Sequence, residues 1–440
     1  MKRISIVTLM AALVLLSGCN KDNEFNNSVD IDINNSSEVP IKLGTYTGST
    51  SATTRASIES LDEMVGNDEH RVGVFCLAAR KTDIKSAQSA SDVDWMYPID
   101  PPTEDGDFGK DYSTTTHRRY WDNLCCEVTK EAGSGFRLEP VQKDDENYKP
   151  YYSYYPISSV YGYDFYSYYP YQPEEDEFGN RRVSCSTNSV CVDFDINGTQ
   201  DIIWGKSVDV TRADLVKEGI TVSELLNTLT KSYYSARFFR KNPKKENAVP
   251  IVLKHKLARF QFYVSPGPDD ESAESPTYND TKGLYLKEIK VLQVPNKLRL
   301  VVAGTENGKN AGTLYAKANS KKEDFCVFEP GDDGSVAGDE PIRLTEVDEN
   351  GVATPVTTAV GDYMMLPAGV SQYFLSIKLV DETGREYPSE KVAFGFNEGN
   401  FAEGMSYNVR LQVSGIKFIN ISAELDPWEN GDEMDLVEFN

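Results

Sequence analysis

Short runs in which apolar and polar residues alternate, each bounded by Gly, Pro, Asn or Asp, recur along this chain and constrain its fold more than any other feature. A period of two places one set of side chains on one face of a strand. Gly404-Met405-Ser406-Tyr407-Asn408-Val409-Arg410-Leu411-Gln412-Val413 is the cleanest example, and Ile416 to Leu425 follows at once. Further strands are predicted at Arg71–Ala78, Tyr120–Leu124, Gly135–Leu138, Leu284–Val294, Leu298–Val302, Thr313–Ala318 and Tyr373–Val380, and one long strand over Val249–Val264. Composition agrees: 25 tyrosines against 8 methionines and 3 histidines favour a mainly β chain. Thr211 to Phe239 breaks the pattern, with Val222, Leu225, Leu226 and Leu229 at helical spacing, so a helical insertion is expected there. The basic stretch Arg237–Lys245, with Asn242-Pro243, reads as a solvated connector. Short strands on both sides of it predict two β-sandwiches, over 56–246 and 247–440.

The first residues read differently. Lys2 and Arg3 precede an apolar run from Ile4 to Leu16, and Leu16-Ser17-Gly18-Cys19 closes it. That is a secretory signal over 1–18, too short to span a membrane, ending in a lipobox whose thiol, Cys19, receives a diacylglycerol. Each acyl CH₂ buried contributes roughly 0.8 kcal/mol, so a multiply acylated terminus stays on a membrane. Residues 19–55 then form a polar tether, and Val39-Pro40-Ile41-Lys42-Leu43-Gly44-Thr45-Tyr46-Thr47 within it alternates as a short strand. A formal charge of −24, or −26 once the two cations of the signal are gone, argues against nucleic acid as a partner.

Searching for chemistry yields little. Gly-x-Ser-x-Gly, His-Glu-x-x-His and phosphate-cradling glycine loops are all missing, and His70, His117 and His255 lie far apart in sequence. The chain reads as a non-enzyme without a cofactor, and His255 as a hydrogen-bonded structural residue. Six cysteines besides Cys19 read as mostly buried thiols, although Cys185 and Cys191 could close a small hairpin. Zinc is disfavoured, since no Cys-x-x-Cys occurs. Asp193, Asp195, Asn197 and Asp201 match an EF-hand spacing with Gly198 at the sixth position, but Trp204 stands where the bidentate Glu belongs. An Asn-Gly hairpin turn explains most of that pattern. Tyr148 to Tyr171 holds 11 of the tyrosines, with Tyr166, Tyr168 and Tyr169 the candidates for stacking on a glycan. Aromatic alternation is also how a strand fills a core, and that reading is favoured.

The distributed pattern resembles the fimbrillins of Bacteroidales, the FimA-like or Mfa-like subunits of type V pili. The resemblance rests on the lipobox at Cys19, Thr54-Arg55-Ala56, Tyr168-Tyr169-Pro170, Asp201-Ile202-Ile203-Trp204-Gly205, Leu253-Lys254-His255-Lys256-Leu257-Ala258-Arg259, Met365-Leu366-Pro367-Ala368-Gly369, and Gly404 with Tyr407 through Pro427-Trp428-Glu429-Asn430-Gly431. It implies two tandem transthyretin-like β-sandwich domains, a lipid-anchored precursor at the outer membrane, and a fimbrium built with other fimbrillin subunits. It also implies a cut between Arg55 and Ala56 that removes the first strand, and strand addition from a neighbour in its place. Asp435-Leu436-Val437-Glu438-Phe439 alternates as a donor strand would. The polar loops over 81–116 and the tyrosine run favour a tip or adhesive subunit facing a surface glycan or protein. The alternative is a surface lipoprotein that binds glycans through the tyrosine-rich segment.

Overall fold

Alternating side chains become paired strands over most of the chain in a computed structural model, which describes residues 39–46, 61–80, 94–95, 123–130, 136–144, 147–150, 154–155, 163–186, 189–208, 234, 239 and 248–426, the last with breaks at 271, 273, 275, 331–339, 390, 397 and 417. The strands that build the first half are Lys42–Tyr46 (β1), Val72–Arg80 (β2), Leu124–Lys130 (β3), Phe136–Asp144 (β4), Tyr163–Tyr169 (β5), Ser189–Asp195 (β6), Ile203–Ser207 (β7) and Ala248–His255 (β8). Those of the second half are Leu257–Pro266 (β9), Leu284–Pro295 (β10), Lys297–Glu306 (β11), Lys322–Phe328 (β12), Thr358–Pro367 (β13), Gln372–Asp381 (β14), Ser406–Ser414 (β15) and Phe418–Asp426 (β16). Shorter pairings extend the sheets.

Seven of these strands close on themselves. Hydrogen-bonded neighbours run β1, β8, β7, β5, β2, β3, β4 and back to β1. Closure removes the open edges that a sheet otherwise presents to solvent and to other chains. Every pairing in the ring is antiparallel except β1 with β8. Inward side chains form one core, with Leu43, Val72, Val74, Cys76, Val128, Leu138, Phe165, Val249 and Ile251 among them.

A second core packs against the outside of the ring. Phe75 and Leu77 of β2 and Tyr166 and Tyr168 of β5 point into it, together with Val192 and Phe194 of β6 and most apolar residues of the second half. β2 and β5 are therefore buried on both faces, which explains the near-continuous apolar run of β2 and the fully buried pattern of β5. Within this second core the sheet ordered β13, β9, β15, β16 faces the sheet containing β12, β10 and β14. Phe260 sits among the rings of Tyr373, Phe394, Phe401 and Tyr407.

Three sequence expectations change here. The long strand over Val249–Val264 is two strands, β8 and β9, separated at Lys256 and serving different sheets. Side chains alternate correctly in both pieces, so no apolar pattern marks the break. The Asn197-Gly198 turn, with Gly198 at φ +99, is not a hairpin: β6 before it pairs with β11, whereas β7 after it pairs with β5 and β8. Of the strand expected over Tyr120–Leu124, residues 120–122 lie outside the described residues, and a strand runs from Leu124 on to Lys130. The boundary expected between 246 and 247 lies outside the described residues; just after it β8 pairs within the ring, and β6 from before it pairs with β11 from after it. Apart from Tyr234 and Phe239, the helical insertion expected between Thr211 and Phe239 lies outside the described residues.

Candidate functional site

The site of most interest is the gap in the ring that β1 fills. Among the described side chains there, Ile41, just before β1, and Leu43 are large and buried, 6% and 1% exposed, and both enter the ring core. Leu43 lies opposite Val249 on β8 and Leu138 on β4, so one residue meets both walls. Val249, Ile251, Phe136 and Leu138 supply the apolar lining. Fully burying side chains of this kind contributes about 1.5–3 kcal/mol each. Gly44 is also buried, and a Cβ added there would stand 3.7 Å from the Cβ of Ala248, an ordinary contact. Just before β1, Val39 and Pro40 pair with Tyr155 and Tyr154.

Chain order sets β1 apart. It comes from residues 42–46, whereas its neighbours come from 136–144 and 248–255. Sequence shows the alternation of Ile41 and Leu43 but gives no sign of which strands receive them. The walls are the part that sequence reasoning missed, because partner choice between strands of similar alternation is decided by the closed topology. Cys19, Arg55, Ala56 and the segment Asp435–Phe439 lie outside the described residues. Among the described residues, no helix is long and apolar enough to cross a membrane.

The tyrosine candidates do not form a sugar platform. Tyr166, Tyr168 and Tyr169 are all buried, since β5 has a core on each face. A ring with no exposed face cannot stack on a glycan from solvent. Tyr168 is fixed further: its hydroxyl meets the Asn123 side chain and accepts the Gln172 amide at 3.2 Å, and its ring lies so close over Gly73 that a Cβ there would stand 2.2 Å from it. Tyr169 hydrogen-bonds to Nδ1 of His70 at 2.8 Å; burial, then the charge of Asp201, pushes its hydroxyl pKa up, and burial lowers that of His70.

The calcium candidates separate in the same way. Asp193 accepts two hydrogen bonds from Arg299, at 2.6 and 2.9 Å, and also meets Lys317. Asp195 pairs with Arg182 at 2.5 Å and Lys297 at 3.1 Å. Asn197 accepts from the backbone and hydroxyl of Thr199, and Asp201 faces His255 at 2.6 Å. Each oxygen ligand already serves a different donor because β6 continues as a strand through Asp195 instead of curling into a loop. Among the described residues, no three His, Cys, Asp or Glu side chains gather as a metal would need. Cys185 and Cys191 do not bridge their hairpin: Cys191 lies opposite Ser184 and Cys185 opposite Val190, so the two point to opposite faces. Cys76, Cys125, Cys126 and Cys191 are buried, and burial holds the thiols of Cys125 and Cys191 up at about 11.

No family model and no curated protein matches the chain. Solved structures do. A fimbrial protein from Bacteroides vulgatus aligns over 88% of this chain and 99% of its own, at 12% identity and a TM-score of 0.44. The fimbrial anchor protein Mfa2 from Porphyromonas gingivalis aligns over the same shares at 10% identity and a TM-score of 0.31. Both neighbours are fimbrial proteins.

Proposed function

We propose that this protein is a structural subunit of a type V pilus, exported as a lipoprotein on Cys19, cut between Arg55 and Ala56, and assembled by strand exchange with other subunits. The observation that carries the reading is the position of β1: a strand encoded before Arg55 occupies a slot whose two walls are encoded after it. Cutting at Arg55 would leave β1 held only by hydrogen bonds and by the burial of Ile41 and Leu43. Its departure would expose the edges of β4 and β8 and the apolar lining between them, a state that another strand relieves.

The slot prescribes its occupant. An incoming strand must run parallel to β8 and antiparallel to β4, with apolar residues at the places of Ile41 and Leu43. Two such side chains recover roughly 3–6 kcal/mol, so many strands of this pattern would compete with β1. Head-to-tail filling of one slot by the next subunit does not close on itself and grows a filament.

The test is to treat the purified precursor with an arginine-specific protease, sequence the new N-terminus and look for filaments by electron microscopy. Ala56 at the new terminus together with filaments is the expected result. An intact chain, or cutting elsewhere without filaments, would sink the proposal. Mass spectrometry of the N-terminal peptide from membranes checks acylation of Cys19.

A further inference from the structure

Several segments that stand far apart in the sequence meet at one point, the single residue between β8 and β9. β8 is a wall of the slot, paired with β1 and β7. β9 lies inside the second core's sheet, with β13 on one side and β15 on the other. Only Lys256 separates them.

Around Lys256 the contacts are dense and mostly out of solvent. The amide of Lys256 donates to the carbonyl of Ile202 at 2.8 Å. His255 donates through Nδ1 to Asp201, whose side chain is 1% exposed, at 2.6 Å. The Lys256 ammonium, on a nearly buried side chain, pairs with Glu403. The amide of Gly404 donates to Leu257 and that of Arg259 to Met405, both at 2.9 Å, while Arg259 Nε reaches the Ser406 hydroxyl at 3.1 Å. The loop before Asp201 is tied to β13 by the Met365 amide, which donates to the Gly198 carbonyl at 2.7 Å. Trp204 on β7 adds a bond from Nε1 to the carbonyl of Val302 on β11, at 2.9 Å.

Buried ionic groups contribute little net stability when they are satisfied, but removing one partner leaves an uncompensated charge. Their best-attested use is to fix one arrangement against others. A one-residue connection can act as a hinge, since a few terminal residues can absorb a large change in φ and ψ; the contacts at Lys256 act here together with the face that β2 and β5 already bury in the second core. Here that hinge is pinned from both sides. We propose that the passage through Lys256 is an interlock, with His255 and Lys256 as its pins, that makes the ring and the second core unfold and move as one body. The inference holds whether or not residues 39–46 leave the slot. If they do, the interlock keeps wall β8 in place while its partner is absent, and it carries tension from the slot straight into the middle of the second sheet.

The experiment uses the full chain and the variants His255→Ala and Asp201→Ala, with His255→Gln as the conservative replacement that retains a donor. Calorimetry of the unaltered chain should show one transition. In His255→Ala and Asp201→Ala it should split in two, and hydrogen exchange in residues 248–255 should rise about tenfold while 406–414 stays protected. His255→Gln should largely restore the single transition. If a single transition merely moves to lower temperature, with exchange rising equally in both segments, the pins are ordinary contacts and the proposal falls. Two transitions in the unaltered chain would also overturn it. Should the buried variants fail to fold, Lys256→Met and Glu403→Gln apply the same criterion at the more exposed pair.

Discussion

β1 and β9 occupy equivalent places in their sheets and depend on them very differently. Each has a parallel neighbour on one side and an antiparallel neighbour on the other: β8 and β4 for β1, β15 and β13 for β9. β9 is ten residues long and buried at eight of them. β1 spans five residues, and among the described side chains it and Ile41 just before it send two large apolar ones into the ring. The same arrangement of neighbours thus holds a long, deeply buried strand in one sheet and a short one in the other. What separates them is the area of apolar surface that each removes from water.

The sharpest break of that comparison is Phe260→Ala. Phe260 is fully buried on β9 and touches four other rings, so its loss should lower unfolding free energy by about 4 kcal/mol, within the range for large-to-small aromatic changes. Urea denaturation measures it, and exchange should rise throughout the molecule. Leu43→Ala comes next, at about 3 kcal/mol of local stability. Here hydrogen exchange should rise in β1 and along the facing edges of β4 and β8, and remain slow in β9. Uniform acceleration after Leu43→Ala would mean that β1 is as integral as β9, and the contrast would fail.

Much of the fold was legible because alternation is local. β10, β14, β15 and β16 fall close to where period-two patterning put them, since each keeps one face in a core, and β2 was legible as an apolar run because it has a core on both faces. The break at Lys256 was not legible: β8 and β9 each alternate, and nothing local records that they join different sheets. Burial of Tyr166, Tyr168 and Tyr169 was favoured from sequence, but the reason for it, a core on both sides of β5, is a property of the assembled layers. Acidic spacing at Asp193, Asp195, Asn197 and Asp201 was a pattern without a shared site, because Arg299, Lys317, Arg182 and His255 come from positions that spacing does not reveal. For the slot, sequence supplied Ile41 and Leu43 and withheld the walls.

A smaller effect probes how the two cores are joined. Trp204→Phe keeps the ring against Gly312, where a Cβ would stand 3.0 Å from the indole, but leaves the carbonyl of Val302 without its donor. The expected loss is about 1 kcal/mol, read as a shift of the urea midpoint at unchanged slope. A changed slope would mean that Trp204 controls how much surface unfolds together.

The smallest effect belongs to the loop Glu174–Arg182, which lies on the path from β5 to β6 and so links the ring to the second core. Asp176 organises it, accepting hydrogen bonds from the Asn180 side chain and amide, from Arg182, and from the amide of Phe178. These donors, the Asn180 side chain first, hold its carboxyl down at about 2, below the ordinary 3.8. For a carboxylate whose folded pKa is depressed, the stabilisation is present above the unfolded value and disappears as pH falls through the folded one. The loop should therefore keep its order at pH 4 and lose it between pH 3.8 and about 2. Amide resonances of Phe178 and Asn180 should titrate with a midpoint near 2, and Asp176→Asn should abolish that midpoint while both cores stay intact. A midpoint at the ordinary carboxyl value would show that the hydrogen bonds to Asp176 do not hold in solution, and that the connection between the cores is looser than either of them.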